Sequence, residues 1–385
     1  MDRLSWLARR RAAGELRHLS PLERRADGQV LEPDSLRPIV DFSSNDYLGL
    51  ASHPEVIAAS GAALERFGAG AGAARLMSGD MLLHHELETE VAAYKGKEAA
   101  LLLASGFQAN VTIIPALMGR HDVIFADRLN HASLVDGSRL AQSRLHRFRH
   151  NDMDHLEDLL RKHRGSGEAL IVVESLYSMD GDMAPLAELV ALKERYNCLL
   201  MVDEAHATGL FGPDGSGLVA QSGCPAGVDL IMGTFGKALG SFGAYIAADG
   251  TMIDFLINRA RGFIYSTALP PAVIGASLAA IRLCKEQPRL RQELWEKVAI
   301  FRAALAHHGC PTSSPSQIIP LTMGKSKAAL ALAHHLREQG VYATAVRPPT
   351  VPENTARLRF SVTRTLTPAQ LEETAALVGG WRKKE

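Results

Sequence analysis

Short, predominantly apolar segments recur along the middle of this chain and constrain its fold more than any other feature. Each is four or five residues long and does not alternate with polar residues, which is typical of strands buried on both faces of a sheet. Helical stretches such as Leu186–Tyr196 separate them. The segments are Ala99–Leu103, Val123–Ala126, Ala169–Val173, Cys198–Val202, Val228–Met232 and Ala244–Ala247. This pattern predicts an α/β domain with a mostly parallel sheet.

The pattern changes after Pro270-Pro271. From there the sequence predicts a helical stretch to about His308, then strands alternating with two helices, which indicates a smaller α+β domain. The strands are Ile318–Met323, Tyr342–Val346 and Arg357–Val362, and the helices are Ala328–Gln339 and the C-terminal segment. At the other end we predict an amphipathic helix packed through Trp6, Leu7, Leu16 and Leu19. The predicted division is an N-terminal helix or arm (1–44), a large domain (45–277) and a small C-terminal domain (278–385).

Charge and cysteine content exclude several classes of protein. Lys plus Arg equals Asp plus Glu, at 42 each, so no strong field favours nucleic acid or an anionic membrane. No apolar run approaches the roughly 18 residues of a membrane span. Cys198, Cys224, Cys284 and Cys310 are far apart and form no C-x-x-C pair, which predicts no metal site and no disulfide framework. We therefore expect a cytoplasmic enzyme without a metal.

Candidate catalytic and ligand-binding residues follow three of the predicted strands. In open α/β sheets, ligands bind at these carboxyl ends of the strands. They are Asp203 and His206 in Asp-Glu-Ala-His, Lys237 in the segment Gly233–Gly240, and the turn Ala104–Gln108 that opens a helix. Taken singly, each has an ordinary structural explanation as a helix cap, a solvated lysine or a tight turn. Together they supply the amine, the carboxylate and the helix N-terminus that pyridoxal 5'-phosphate requires.

Five motifs in the same order resemble those of the α-oxoamine synthases, pyridoxal-phosphate enzymes of the aspartate-aminotransferase-like superfamily. They are Asn45–Leu50, Gly68–Gly79, Ser178–Asp182, Asp203–His206 and Thr234–Gly240, and the resemblance covers nearly the whole chain. It implies a large aspartate-aminotransferase-like domain with a mostly parallel sheet, and a smaller α+β domain. It also implies that the cofactor is pyridoxal 5'-phosphate.

The resemblance assigns roles at the cofactor. Lys237 is expected to bind it as an imine and later to move the α-proton of the substrate. Asp203 is expected to pair with the pyridinium nitrogen, and His131 to stack on the ring. His206 and Ser178 are expected to hydrogen-bond near the ring hydroxyl or the imine. On the phosphate side the expected residues are Gly106, Phe107 and Thr234.

For the substrates, strand alternation places Arg357 and Arg359 on one face, so the residues alone do not choose between them. The resemblance chooses Arg359 to bind the carboxylate of the amino acid by a bidentate contact. Asn45 and His131 are expected at the same substrate. Arg17 and Thr350 are expected at the acyl donor, although an exposed helix charge explains Arg17 equally well.

The segment Ala345–Pro352 resembles that of the members of the family that use a pimeloyl donor. The implied reaction is a decarboxylative condensation of L-alanine with a pimeloyl thioester of coenzyme A or of an acyl carrier protein, in biotin biosynthesis. Ile264–Thr267 resembles a segment that reaches a neighbouring subunit, which implies a homodimer. The alternatives are a family member that takes glycine with an acetyl or succinyl thioester, an aminotransferase, and a non-catalytic binding protein. The Asp203–Lys237 pair disfavours the last of these.

Overall fold

A computed structural model describes residues 2–33 and 35–382. The chain divides into two compact units. The sheet unit comprises His53–Ser178 and Met183–Arg291, and the C-terminal unit comprises Met1–Ser52, Met179–Asp182 and Gln292–Glu385. The three-part division made from the sequence stays a prediction. Among the described residues, no helix is both long enough and apolar enough to span a membrane.

The chain begins with a short exposed helix, α1 (Arg3–Ala12), which Asp2 caps by accepting hydrogen bonds from the main-chain N–H groups of Leu4 and Ser5. The helix ends before Gly14, which has a φ of 68°, and it buries none of its side chains. The predicted packed helix reaching Leu19 was therefore wrong. Leu16 and Leu19 lie beyond the helix, and Trp6 and Leu7 are both 41% exposed. Three short strands follow: β1 (Glu23–Arg24), β2 (Val30–Leu31) and β3 (Val40–Asp41).

The sheet unit is built on a seven-stranded sheet. Its strands are β4 (Ala99–Leu103), β5 (Val123–Asp127), β6 (Arg144–Phe148), β7 (Ala169–Glu174), β8 (Leu199–Asp203), β9 (Leu230–Thr234) and β10 (Ala244–Ala248). Their order is β4-β10-β9-β8-β7-β5-β6. Only β10 runs antiparallel to its neighbours. The six predicted strands and the mostly parallel sheet are confirmed. Strand β6 was missed, because its sequence Arg-Leu-His-Arg-Phe is basic and it lies at the edge of the sheet.

Helices lie between the parallel strands along the chain, as parallel pairing requires, and further helices precede β4 and follow β10. They are α2 (Pro54–Phe67), α3 (Leu82–Lys95), α4 (Gly106–Leu117), α5 (Ala132–Leu140), α6 (Met153–His163), α7 (Leu186–Arg195), α8 (Leu218–Gln221), α9 (Gly250–Arg259), α10 (Arg261–Ile264) and α11 (Pro271–Glu286). Helix α4 packs its apolar side chains, among them Ile113 and Ile114, into the same buried cluster as Leu101 and Met232 of the sheet. Burying one face of α4 in this way fixes where its first turn lies relative to the strand ends.

The C-terminal unit contains an antiparallel sheet of order β11-β14-β13. Its elements are α12 (Arg289–His307), β11 (Ile318–Gly324), α13 (Ser326–Glu338), β12 (Val341–Tyr342), β13 (Thr344–Val346), β14 (Ala356–Ser361) and α14 (Pro368–Arg382). The predicted strand at Tyr342–Val346 is interrupted at Ala343: β12 pairs with β3, and β13 pairs with β14. Phe42, Phe301 and Phe360 form its aromatic core, with ring centroids 5.1–5.5 Å apart.

Candidate active site

The carboxyl ends of β7 and β8 place two acidic side chains next to each other. Glu174 and Asp203 are aligned neighbours in the parallel pairing of these strands, and both are buried. Asp203 accepts a hydrogen bond from the main-chain N–H of Ala205 at Oδ1 (2.9 Å) and one from Asn110 Nδ2 at Oδ2 (3.0 Å). Its carboxylate is therefore held in one orientation by the loop that follows β8 and by α4.

His131 lies at the N-terminus of α5, where its ring and its main chain have different partners. Nδ1 accepts a hydrogen bond from the main-chain N–H of Ser133 (3.2 Å) and lies 2.7 Å from Ser133 Oγ. The main-chain N–H of His131 donates to Glu174 Oε1 (2.6 Å). Burial lowers the pKa of the imidazole; the Asp203 carboxylate opposes this shift and the Lys237 ammonium adds to it. His131 is therefore neutral at pH 7.

Glu174 is the second buried carboxyl group of this site. Burial, followed by the nearby Asp203 carboxylate, raises its pKa to about 8, although Lys237 and hydrogen bonds from the main chains of His131 and Ser178 act in the opposite direction. Glu174 is therefore protonated at pH 7. The sequence analysis missed this residue, yet the rule that found Asp203 also identifies Glu174, because it directly follows the apolar run Ala169–Val173.

Lys237 lies in the loop after β9. Thr234, the last residue of that strand, shapes the loop: its Oγ1 donates to the carbonyl of Gly243 (2.8 Å) and accepts the main-chain N–H of Gly236 (3.2 Å). Lys237 is partly exposed and is close enough to act on the pKa values of His131 and Glu174. The structure thus brings together the lysine, the histidine and the carboxylate that the sequence singled out.

The first turn of α4 supplies a candidate anion site. Ser105 caps the helix by accepting the main-chain N–H of Gln108 (3.2 Å), and the Gln108 side chain ties this turn to Ser266 Oγ (2.8 Å). Gly106 faces Thr234, and Phe107 is half exposed. The first N–H groups of a helix have no intrahelical acceptor, and together with the helix dipole they favour phosphate.

Ser178 and His206 are both buried in the loops after β7 and β8. A buried ion pair holds the second of these loops. Lys95 Nζ lies 2.9 Å from Glu204 Oε2 and donates to Thr208 Oγ1 (2.9 Å). Burial alone would lower the pKa of Lys95, but the Glu204 carboxylate raises it above its usual value. Lys95 therefore stays charged, and its contacts with Glu204 and Thr208 hold the segment that follows Asp203.

The C-terminal unit holds a separate cluster around Arg359. Its guanidinium donates hydrogen bonds to Ser361 Oγ (2.7 Å), Asn45 Oδ1 (3.2 Å) and Tyr47 Oη (3.2 Å). The neighbouring Arg357 instead forms a salt bridge with Asp180. The two arginines that the strand pattern left equivalent thus differ in their surroundings: Arg357 contacts a carboxylate, whereas Arg359 contacts two hydroxyl groups and an amide oxygen.

Arg17 and Thr350 are brought together within the same unit. Arg17 donates a hydrogen bond to Thr350 Oγ1 (2.8 Å), and both side chains are exposed. Arg347 donates to the carbonyl of Gly14, which connects this N-terminal segment to the loop before β14. Residues 333 positions apart in the sequence therefore form one polar surface.

Comparison with known proteins gives consistent results. Residues 37–378 match the family model of aminotransferase class I and II. The chain is 51% identical to the 8-amino-7-oxononanoate synthase of Geobacter sulfurreducens over 343 residues, 88% of each chain. It is 48% identical to that of Citrifermentans bemidjiense, over 93% of this chain and 92% of the relative. The chain belongs to the 8-amino-7-oxononanoate synthase family. It is a pyridoxal-phosphate-dependent acyltransferase of biotin biosynthesis.

Solved structures agree with this membership. A serine palmitoyltransferase variant from S. paucimobilis, solved with a bound pyridoxal phosphate–myriocin aldimine, superposes with a TM-score of 0.92 at 27% identity, covering 99% of this chain and 96% of the other. The 8-amino-7-oxononanoate synthase of Francisella tularensis has a TM-score of 0.76 at 27% identity, covering 90% and 98%. The predicted aspartate-aminotransferase-like fold is confirmed.

The donor set of the sheet unit fits pyridoxal phosphate. Lys237 offers an amine, Asp203 offers a carboxylate with both oxygens oriented by hydrogen bonds, and the first turn of α4 offers N–H groups to a phosphate. These are the groups required for covalent attachment, for a protonated ring nitrogen and for a phosphate anchor. Asn110 and Ser133, which contact Asp203 and His131, had no local sequence signal, because a polar residue inside a helix or beside a cap looks ordinary.

Proposed function

We propose that this chain condenses L-alanine with a pimeloyl thioester, releasing carbon dioxide, the free thiol and 8-amino-7-oxononanoate. A bond forms between the α-carbon of alanine and the acyl carbonyl carbon. The carbon–sulfur bond of the thioester and the bond to the alanine carboxylate break. The observation that carries the proposal is the grouping of Lys237, Asp203 and neutral His131 at one sheet edge in a member of this family.

The cofactor-binding residues divide by the part of pyridoxal phosphate that each holds. When bound, the cofactor supplies the electron sink for the negative charge that develops at the α-carbon. Asp203 holds the ring nitrogen in its protonated form, and the imidazole of His131 packs on the ring. Ser178 and His206 hydrogen-bond near the ring hydroxyl or the imine. The phosphate is bound by Gly106, Phe107 and Thr234.

Lys237 has two tasks in this proposal: it attaches the cofactor and, once the amine of alanine has displaced it, it moves the α-proton. Both require the neutral amine. Lys237 is close enough to His131 and Glu174 to act on the pKa values of both, which places its amine within the same cluster.

Arg359 binds the carboxylate of alanine in this proposal, with Asn45 beside it. A guanidinium can form two parallel hydrogen bonds with a carboxylate. Neutral partners such as Tyr47 and Ser361 orient the guanidinium without cancelling its charge. Arg357 is a poorer candidate, since Asp180 already neutralises it.

Arg17 and Thr350 are proposed to contact the acyl donor, on coenzyme A or on a carrier protein. Their hydrogen bond presents a cation and a hydroxyl on one exposed surface, which suits the carboxylate or phosphates of the donor. A homodimer is also part of the proposal: the sheet unit exposes Met77, Leu82 and Tyr265, which are 71–81% accessible. Four free cysteines support the cytoplasm as its location.

The decisive experiment is product identification by mass spectrometry. L-Alanine is supplied with pimeloyl, succinyl and acetyl thioesters, each on coenzyme A and on a carrier protein, and the panel is repeated with glycine. Each methylene buried in a fitted channel adds roughly 0.8 kcal/mol, so we expect pimeloyl thioester to have the highest kcat/KM by orders of magnitude. Preference for glycine with an acetyl or succinyl donor would overturn the proposed substrates.

A further inference from the structure

Asn110, the fifth residue of α4, bridges two parts of the active site. Its buried amide donates one hydrogen bond to Asp203 Oδ2 (3.0 Å) and another to Ser133 Oγ (2.9 Å). An amide nitrogen carries two hydrogens, and both are used here. One helical side chain thus connects the loop after β8 to the first turn of α5.

The amide can be oriented in only one way. With the two ends exchanged, the carbonyl oxygen of Asn110 would face the Asp203 carboxylate, and two acceptors would oppose each other. In the orientation adopted, the buried Oδ1 accepts no hydrogen bond from the described residues. Leaving a buried acceptor unsatisfied is unfavourable. The two hydrogen bonds that the amide donates, to Asp203 and Ser133, offset this cost and explain the position of the side chain.

Ser133 extends the connection to His131. Because Ser133 Oγ accepts from Asn110, its own O–H can donate to His131 Nδ1, 2.7 Å away. The main-chain N–H of Ser133 donates to the same nitrogen (3.2 Å). Two donors at Nδ1 make it an acceptor, which places the proton of the neutral imidazole on Nε2.

We propose that Asn110 is a positioning residue that couples the Asp203 carboxylate to the His131 imidazole through Ser133. It holds the carboxylate in the orientation that receives the ring nitrogen, and it keeps His131 in the Nε2–H tautomer. This inference rests on the proposed roles of Asp203 and His131 at the cofactor. It adds a residue that contacts neither substrate nor cofactor but determines how two of their partners are oriented.

The test compares Asn110→Leu with Thr112→Val in the holoenzyme. Leucine resembles asparagine in size but donates no hydrogen bond, and Thr112 is a buried polar residue of the same helix. The measurements are the pH titration of the cofactor absorbance, the Kd of the cofactor, and kcat and KM for alanine.

For Asn110→Leu we expect the titration midpoint to move by about one pH unit, since one hydrogen bond to a carboxylate is lost. We also expect a roughly tenfold weaker Kd and a roughly tenfold lower kcat with a similar KM. Thr112→Val should match the wild-type protein.

Ser133→Ala supplies the second arm, because it removes only the hydroxyl that joins Asn110 to His131. If Asn110, Ser133 and His131 act as one unit, the double variant with both Asn110→Leu and Ser133→Ala will show a smaller effect than the product of the two single effects. Independent single effects would overturn the coupling. Wild-type absorbance, Kd and pH profile in Asn110→Leu, with only a lower melting temperature, would show a structural role instead. Should Asn110→Leu not fold, a wild-type titration in Ser133→Ala would overturn the proposal.

The absorbance and Kd need no acyl donor, so failure of the proposed substrates would leave this test intact. An unchanged cofactor titration in Asp203→Asn would instead refute the proposed role of Asp203 itself. The two failures are therefore distinguishable.

Discussion

The two polar clusters of this enzyme differ in which of their groups are charged at pH 7. In the sheet unit, Asp203 and Lys237 lie near two groups that can ionise but are neutral at pH 7. Burial lowers the pKa of His131, and burial together with the Asp203 carboxylate raises the pKa of Glu174 to about 8. In the C-terminal unit, Arg359 is a permanent cation held by neutral oxygens such as Tyr47 Oη. The first arrangement suits the transfer of protons at a cofactor, and the second suits the binding of an anion.

The difference follows from the elements that carry each cluster. Parallel strands that end at the same edge bring acidic side chains from separate parts of the sequence together, as Glu174 and Asp203 show. The antiparallel strand β14 instead presents Arg357 and Arg359 two residues apart. There the surroundings decide the function, since Asp180 pairs with Arg357.

Substitution of Lys237 gives the largest expected effect and tests whether the cluster in the sheet unit binds the cofactor. Lys237→Ala removes the amine that attaches the cofactor, so we expect the imine absorbance of the purified protein to disappear. Turnover should fall by about 10³-fold or more. Arg359→Ala is the matched control, because it alters the other cluster and should retain that absorbance. An unaltered spectrum in Lys237→Ala would contradict the cofactor assignment.

Asp203 tests the same cluster through its charge. Asp203→Asn keeps the shape of the side chain but no longer holds the ring nitrogen protonated. We expect the cofactor to bind and the exchange of the alanine α-proton into deuterated water to slow by roughly 10²- to 10³-fold. Proton exchange is followed by NMR without an acyl donor. Exchange at the wild-type rate would mean that Asp203 plays no part in stabilising the carbanion.

Substitution of Arg359 tests which of the two arginines in the C-terminal unit binds the carboxylate of alanine. Arg359→Ala removes a charge-assisted contact, with an expected loss of about 1.5–3 kcal/mol in alanine binding, or about 10- to 150-fold in Kd. Arg357→Ala is the matched variant and should change this Kd far less, because it removes a salt bridge to Asp180. The Kd is read from the spectral change on adding alanine. The reverse result would assign the substrate carboxylate to Arg357.

Sequence patterns predicted the parts of the fold that depend on continuous burial. Strands such as β7 and β8 are apolar up to their last residue, so their positions could be predicted directly, and the functional residues at their ends followed from the parallel arrangement. Strand β6 was missed because an edge strand tolerates basic residues. The N-terminal helix was extended too far because the apolar spacing continues past Gly14, where the backbone leaves the helix.

The site was predictable where a residue follows a strand or belongs to a recognised motif. Asn110 satisfies neither condition, since it lies inside α4 and its importance depends on contacts with residues 23 and 93 positions away. The choice between Arg357 and Arg359 likewise depends on Asp180, which the strand pattern does not contain. Long-range hydrogen bonds and ion pairs therefore mark the limit of what the sequence alone could predict.

Glu174 gives the most direct test of the contrast in charge, through the pH dependence of stability rather than through activity. In the unfolded chain its carboxyl group has an ordinary pKa near 4.5, and in the fold the pKa is about 8. Between these values the folded protein binds more protons than the unfolded chain, so stability falls as pH rises. The contribution is fully present below pH 4.5 and is lost as the pH passes 8. The expected slope is at most about 1.4 kcal/mol per pH unit.

Glu174→Gln removes this titration while keeping an acceptor for the main-chain N–H of His131. Urea unfolding of the cofactor-free protein between pH 5 and about 9 should therefore give a shallower decline in unfolding free energy for the variant than for wild type. The cofactor is removed because its own charges would alter the neighbouring groups. Arg359→Lys is the control, since its cation does not titrate in this range, and its curve should run parallel to wild type. A parallel curve for Glu174→Gln would mean that Glu174 is already ionised in the fold, and that the two clusters do not differ in the way described.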